Sequence, residues 1–230
     1  MGGKMNDLTG GLLVVAGTGL IVGLIFWLVA RQNRKRETTL RNLASLNGWV
    51  FEPISERYTK GYRLRKSEWQ IESINTSSDG PSSDSGSSNV SSQTRWFSDA
   101  ARMPDGIVLI GLRQPDIGLA NISTFLVQAA LGMMIGDEAK NAEGIQPVEL
   151  GSLDLMNRFM IWTNREEAAK KLLDQSVENA LLNLPKKLQP VVKYSPSGLE
   201  VKFIGVRLDK EEDLYALVKL GAALLDSALA

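Results

Sequence analysis

Any chemistry done by this 230-residue chain has to work without histidine and cysteine, because the sequence contains neither. Histidine is the commonest general base and transition-metal ligand, and cysteine supplies thiol nucleophiles, disulfides and thiolate zinc sites. The composition therefore excludes a disulfide framework and a self-contained Ser-His-Asp or Cys-His triad. Carboxylate, lysine or serine chemistry and oxygen-ligated hard cations remain.

Acidic side chains form three clusters that could bind a divalent cation in a membrane-anchored enzyme. The clusters are Glu166 and Glu167; Asp209, Glu211, Glu212 and Asp213; and Asp137, Glu138 and Glu143. The first two stand at the start of predicted helices, where capping and the helix dipole favour carboxylates. The third falls in a predicted loop, where solvation explains it. Since the sequence has no calcium-binding, phosphate-binding or nucleophile-elbow motif, we predict no catalytic residue, metal ligand or cofactor.

A basic stretch interleaved with aromatic residues is the next candidate site. It contains Arg57, Lys60, Arg63, Arg65 and Lys66 beside Tyr58, Tyr62 and Trp69. Arg63, Arg65 and Lys66 could contact anionic lipid headgroups, bases of single-stranded nucleic acid could stack on the aromatic rings, or the charges could protect a strand from aggregation.

The strongest signal in the chain is an uncharged run at residues 8–30. Its 23 residues would form a helix of roughly 34 Å, enough for the bilayer core of about 30 Å. The run exceeds the apolar stretch of a signal peptide, so we predict a retained transmembrane helix. It is followed at once by Arg31, Arg34, Lys35 and Arg36, which we expect to contact the membrane surface together with Arg63, Arg65 and Lys66. By the positive-inside rule, the N-terminus lies outside the inner membrane and the remaining chain in the cytoplasm.

Gly19 and Gly23 in this run form a GxxxG pair. Such a pair lets two membrane helices approach closely, and we expect it to be a candidate face for helix association. Glycine is also common in membrane helices in general, so the pattern has a second interpretation.

The chain divides into four regions and is neutral only as a sum. We predict an extracytoplasmic N-terminus at 1–7, the transmembrane helix at 8–30, a basic juxtamembrane helix at 31–48 and a cytoplasmic domain at 49–230. Residues 1–48 carry 6 basic and 2 acidic side chains, a net charge of +4, whereas residues 49–230 carry 20 and 24, a net charge of −4. A mildly acidic domain argues against nucleic acid as a partner.

Periodicity predicts an α+β domain with a mainly antiparallel sheet and about three covering helices. Alternation predicts strands at 49–54, 61–66, 69–75, 95–100, 107–113 and 158–163 and a hairpin at 188–206. A serine-rich segment at 76–94 predicts a disordered loop between paired strands. Helical spacing predicts amphipathic helices at 119–136, after Asn164 and after Asp209. Asn164 with Glu167, and Asp209 with Glu212, have capping spacing.

The last third of the chain also resembles a known group of sequences. The blocks FMIWTNREEAAKKLLDQSVENALLNL and LDKEEDLYALVKLGAALLDSAL, with LASLNGWVFEP and GYRL earlier, are similar to uncharacterised bacterial proteins with a single membrane anchor. The resemblance implies the architecture and a prokaryotic origin. It implies no functional residue, because that family has no assigned activity.

These observations lead to one function and two alternatives. The first is a non-catalytic cytoplasmic interaction domain on a single-pass membrane protein, an accessory or scaffolding subunit of a membrane assembly. Its expected partners are membrane lipid and other membrane proteins or a second copy of itself. The alternatives are a membrane-anchored enzyme that uses carboxylates and a divalent cation, and a sensor of anionic lipid surfaces.

Overall fold

The computed structural model describes residues 23–25, 27–28, 30–32, 34–78, 89–113, 132 and 135–230. Among them, no helix is both long and apolar enough to cross a membrane. Three predicted segments lie wholly or largely outside the described residues: the N-terminus at 1–7, the span at 8–30 and the amphipathic helix at 119–136.

Nine strands among the described residues form one antiparallel sheet, which confirms the predicted α+β class. In chain order they are β1 (Val50–Ser55), β2 (Thr59–Lys66), β3 (Trp69–Ser78), β4 (Asn89–Ser98), β5 (Val108–Leu112), β6 (Gln146–Val148), β7 (Phe159–Thr163), β8 (Pro190–Ser195) and β9 (Gly198–Ile204). Their spatial order is β1-β2-β3-β4-β9-β8-β5-β7-β6. The hairpin of β8 and β9 therefore sits in the middle of the sheet, between strands that are distant in sequence.

Helices pack on one face of this sheet. They are α1 (helical at 23–25, 27–28, 30–32 and 34–46), α2 (Leu153–Arg158), α3 (Glu166–Leu172), α4 (Gln175–Leu182) and α5 (Glu211–Leu229). A 3-10 helix at Gly136–Ala142 lies on the opposite face. Helix α1 ends at 46, and Gly48 follows with a φ of 68°, a backbone conformation that favours glycine after a helix end.

The main core lies between the helices and one face of the sheet. Tyr62 and Leu64 of β2 point into it, whereas Arg63 and Arg65 point to the opposite face, as the period of a strand requires. The α1 residues Leu40, Leu43 and Ala44 are also buried in this core. On the opposite face, the 3-10 helix covers Leu109 and Trp162 through Ala142.

The strands extend further into the predicted loop at 76–94 than the sequence indicated. Strand β3 continues to Ser78 and β4 begins at Asn89, so that both ends of the predicted loop at 76–94 are paired strands. The ladder extends into this polar sequence because its hydrogen bonds come from the backbone. Residues 79–88 lie outside the described part of the chain.

Both predicted capping boxes are wrong. The N-caps of α3 and α5 are Arg165 and Lys210, and neither makes a side-chain cap. Asn164 instead accepts from the Ile107 amide at 2.9 Å and donates to two carbonyls at 2.8 Å. These partners come from distant segments, so local spacing could not reveal them.

The helix predicted after Asn164 is split at Asp174. The Asp174 carboxylate accepts from the Val177 amide at 2.8 Å and caps α4. Asp174→Ala should lower the free energy of unfolding by about 1 kcal/mol, measured by chemical denaturation of the full chain in detergent. Asp174→Asn keeps the acceptor and should stay near wild type. An equal loss in both variants would contradict the capping role.

Candidate functional site

The N-terminal part of the α1 helix carries exposed apolar side chains. Leu24, Ile25, Trp27 and Leu28 are 58%, 54%, 56% and 48% exposed. A Cβ added at Gly23 would meet no atom of the described residues within 4 Å, so none of them packs closely against the helix at this position. Gly19, its predicted partner in helix association, lies outside the described residues.

The basic cluster follows these apolar residues on the same helix. The Arg31 guanidinium lies over the Trp27 ring, 5.2 Å from its centroid. Arg36 pairs with Asp209 at 3.6 Å, which ties α1 to the segment before α5. For Arg31, Arg34 and Lys35, no carboxylate within 4.0 Å is found in the described part of the chain.

A groove of about 680 Å³ runs beside this helix. The described residues that line it are Trp27, Ala30, Arg31, Arg34, Lys35, Thr38 and Thr39. Its lining changes from apolar to cationic to hydroxyl along the helix. The Thr38 and Thr39 hydroxyls donate to the carbonyls four residues earlier, at 2.9 and 3.0 Å, so their oxygens are left as acceptors.

The cations predicted on β2 have a different environment. Arg63 lies 2.5 Å from Glu72 and 3.5 Å from Glu52, and Arg65 lies 3.1 Å from Glu52. Hydrogen bonding to Glu72 raises the pKa of the Arg63 guanidinium. These two cations face away from the helix layer, and Lys66 lies at the end of β2 opposite Trp69. The structure therefore puts Arg63 and Arg65 on the face of the sheet that α1 does not cover.

A buried carboxylate next to this ladder was missed at the sequence level. Glu200 of β9 has a side chain 8% exposed, and it lies 2.6 Å from Arg95 and 3.3 Å from both Lys193 and Lys202. The Arg95 contact is an ion pair without hydrogen-bond alignment. Burial raises the pKa of the Glu200 carboxyl, but the three cations outweigh burial, and the pKa ends below its usual value.

Glu138 was predicted in a solvated loop, and that prediction is wrong. It is 6% exposed and accepts from the Ser195 hydroxyl at 2.9 Å, and also from Ser197 and Asn141. Burial raises the pKa of the Glu138 carboxyl, but these hydrogen bonds lower it by more. Because Ser195 is the last residue of β8 and Ser197 lies in the turn before β9, Glu138 holds the 3-10 helix against that hairpin.

Four of the other clustered carboxylates, those of Glu166, Glu167, Asp209 and Asp213, pair with nearby cations. Glu166 and Glu167 lie 3.0 and 3.2 Å from Lys170, and Asp213 lies 2.6 Å from Lys187. Asp209 lies 3.0 Å from Arg207. Over the described residues, no group of three or more acidic side chains is placed to hold a metal ion.

Comparison with known proteins gives a structural similarity. No protein-family model matches the chain, and no curated protein matches it. The crystal structure of the mycobacterial trehalose monomycolate transport factor A, TtfA, is similar to this chain at 8% sequence identity, with a TM-score of 0.45. The match covers 84% of this chain and 94% of that chain. We carry no functional residue over from it.

The sequence could have revealed part of the environment of Glu200, but not all of it. Glu200 and Lys202 alternate with Val201 and Phe203, so the period of β9 already places them on the face away from the core. Nothing local indicates that Arg95 and Lys193 flank them. That neighbourhood depends on β4 and β8 pairing with β9.

Proposed function

We propose that this protein is a single-pass inner-membrane protein with a non-catalytic cytoplasmic interaction domain, acting as an accessory or scaffolding subunit of a membrane assembly. The observation that carries the proposal is the order of side chains along one helix. Exposed apolar residues at 24, 25, 27 and 28 come first, and the cations Arg31, Arg34, Lys35 and Arg36 follow. The core residues Leu40, Leu43 and Ala44 come last.

This order supports a domain held close to the bilayer. From residue 30 to residue 40 a helix rises about 15 Å, whereas the headgroup layer of one leaflet is roughly 5–8 Å thick. Leu40 is buried in the domain core. Only a short stretch of helix, residues 31–39, therefore lies between the apolar run and the domain. The pair of Arg36 and Asp209 braces that base.

The flanking charges support the orientation and the partners. Cations directly after an apolar run favour an outside N-terminus and a cytoplasmic domain. We propose anionic lipid as one partner, and a second copy or another membrane protein, through Gly19 and Gly23, as the other. The net charge of −4 on residues 49–230 does not favour nucleic acid.

The anchor is tested by extraction of bacterial membranes with strongly alkaline carbonate. The full chain should stay in the pellet, because roughly 34 Å of apolar helix spans the bilayer, and a chain without residues 1–30 should be released. In spheroplasts an external protease should leave the domain intact, and in inverted vesicles it should cleave the domain. Release of the full chain, or cleavage in spheroplasts, would overturn the proposal.

The assembly role is tested with the same full chain. After purification in a mild detergent, mass photometry should show a particle larger than one chain, with each component at a fixed ratio. A chain with a different single-pass helix in place of residues 8–30 is the control for nonspecific membrane protein. A monomer without partners would count decisively against an accessory subunit.

A further inference from the structure

The groove beside α1 has the order of an amphiphile along its length. Trp27 and Ala30 form its apolar end, and Arg31, Arg34 and Lys35 follow in the direction of the domain. From residue 27 to residue 35 a helix makes about two turns and rises roughly 12 Å. An anionic headgroup with the first part of an acyl chain has the same order of chemical groups.

The three cations of the groove, Arg31, Arg34 and Lys35, are exposed. Other cations nearby are satisfied: Arg36 pairs with Asp209, and Arg41 lies 2.8 Å from Glu37. Arg31, Arg34 and Lys35 have no carboxylate within 4.0 Å in the described part of the chain. The Trp27 ring under Arg31 holds that guanidinium at the groove.

We infer that this groove binds one anionic phospholipid of the inner membrane. Its phosphate lies between Arg31, Arg34 and Lys35, and an acyl chain lies along Trp27 and Ala30. The arginines are suited to this role because their planar donors engage two phosphate oxygens at once. The inference rests on the proposed function, since the groove meets a leaflet only if the preceding run is in the bilayer.

The apolar end selects a lipid over other anions. Free phosphate or an acidic peptide would use the cations but leave Trp27 and Ala30 without a partner. A phospholipid covers both ends and keeps its acyl chains in the leaflet that the apolar run enters. The site would also fix the rotation of the helix about its axis, and hence the side of the domain that faces the membrane.

The test uses the full chain in zwitterionic detergent with short-chain phosphatidylglycerol as the probe. Calorimetry should give one phosphatidylglycerol per chain, and short-chain phosphatidylcholine should bind at least about tenfold more weakly. R31Q/R34Q/K35Q should weaken phosphatidylglycerol binding by about 100-fold, the sum of three membrane-proximal cations. R31K/R34K keeps the charge and should lose an intermediate amount, because ammonium groups bind phosphate at one point.

The matched control removes the same charge elsewhere. Lys171, Lys186 and Lys219 are exposed on or beside other helices, and K171Q/K186Q/K219Q should stay within about twofold of wild type. Equal losses in the two triple variants would mean diffuse attraction and overturn the site. Glycerol phosphate binding as tightly as phosphatidylglycerol would overturn the lipid assignment.

The two proposals can fail separately. Carbonate release of the full chain overturns the membrane anchor whatever the lipid assay gives. A chain that resists extraction but binds phosphatidylglycerol and phosphatidylcholine equally overturns only the lipid site.

Discussion

Gly221→Val is expected to lower the free energy of unfolding by about 3 kcal/mol, at the upper end of the usual cost of overpacking a core. Gly221 lies in the middle of α5 against Trp96, which is fully buried. A Cβ at position 221 would lie 2.3 Å from Cε2 of the Trp96 indole. The indole has no free space to move into, so either α5 shifts or the ring leaves its position.

Gly221→Ala adds only the Cβ that clashes with Trp96, and it also raises the helix propensity of the position. Alanine in a helix is favoured over glycine by about 1 kcal/mol, which offsets part of the clash and leaves a net loss of about 1 kcal/mol. Denaturant titration of the full chain in detergent, followed by tryptophan fluorescence, measures both variants. The shift of Trp96 should also appear as altered near-UV circular dichroism in the folded state.

The control for this prediction is Gly132→Ala. Gly132 is also helical, but an added Cβ there would meet no atom of the described residues within 4 Å. That variant should be neutral or slightly more stable. A Gly221→Val protein as stable as wild type would show that α5 and Trp96 are not in close contact.

Glu200→Gln should cost about 2–3 kcal/mol of unfolding free energy, somewhat less than breaking a fully buried pair. The change keeps the shape of the side chain and removes the charge that Arg95, Lys193 and Lys202 share. These cations are 38%, 16% and 29% exposed, so water screens part of their mutual repulsion.

The loss of unfolding free energy caused by Glu200→Gln should decrease as the pH falls. The pKa of Glu200 is lower in the folded protein than its ordinary value, which is about 4.3 in an unfolded chain. Its contribution is therefore complete above that value and is lost as the pH falls through the folded pKa. The stability difference between wild type and Glu200→Gln should be constant near neutral pH and disappear in acid.

Glu167→Gln is the matched control, because Glu167 also pairs with a lysine but its side chain is 91% exposed. It should change stability by less than about 0.5 kcal/mol at any pH. If Glu200→Gln and Glu167→Gln gave equal, small effects, Glu200 would not be the carboxylate that neutralises the open face of the sheet.

The predicted faces of β2 and α5, which the structure confirms, have the same physical cause. Tyr62 and Leu64 were assigned to the core, and Arg63 and Arg65 to the other face, because successive side chains of a strand point in opposite directions. The stripe of α5 was found in the same way, since Leu214, Leu217 and Leu224 follow the helical period and are buried. Both patterns are properties of neighbouring residues.

The failures share a cause as well. Asn164 and Asp209 have the spacing of capping residues, but their side chains have other partners: the Ile107 amide for Asn164, and Arg207 at 3.0 Å and Arg36 at 3.6 Å for Asp209. The spacing of residues along the chain indicates which local hydrogen bonds a side chain can make. It does not indicate which competing partners the folded chain brings closer.

By itself the sequence determined the chemistry that is absent, the α+β class, the uncharged run and the cations that follow it. Only the tertiary structure decided that α1 belongs to the core of the domain and that Glu200 is shared by three cations. The reason is that composition and periodicity act over a few residues, whereas the order of strands and the burial of a charge depend on contacts between distant parts of the chain.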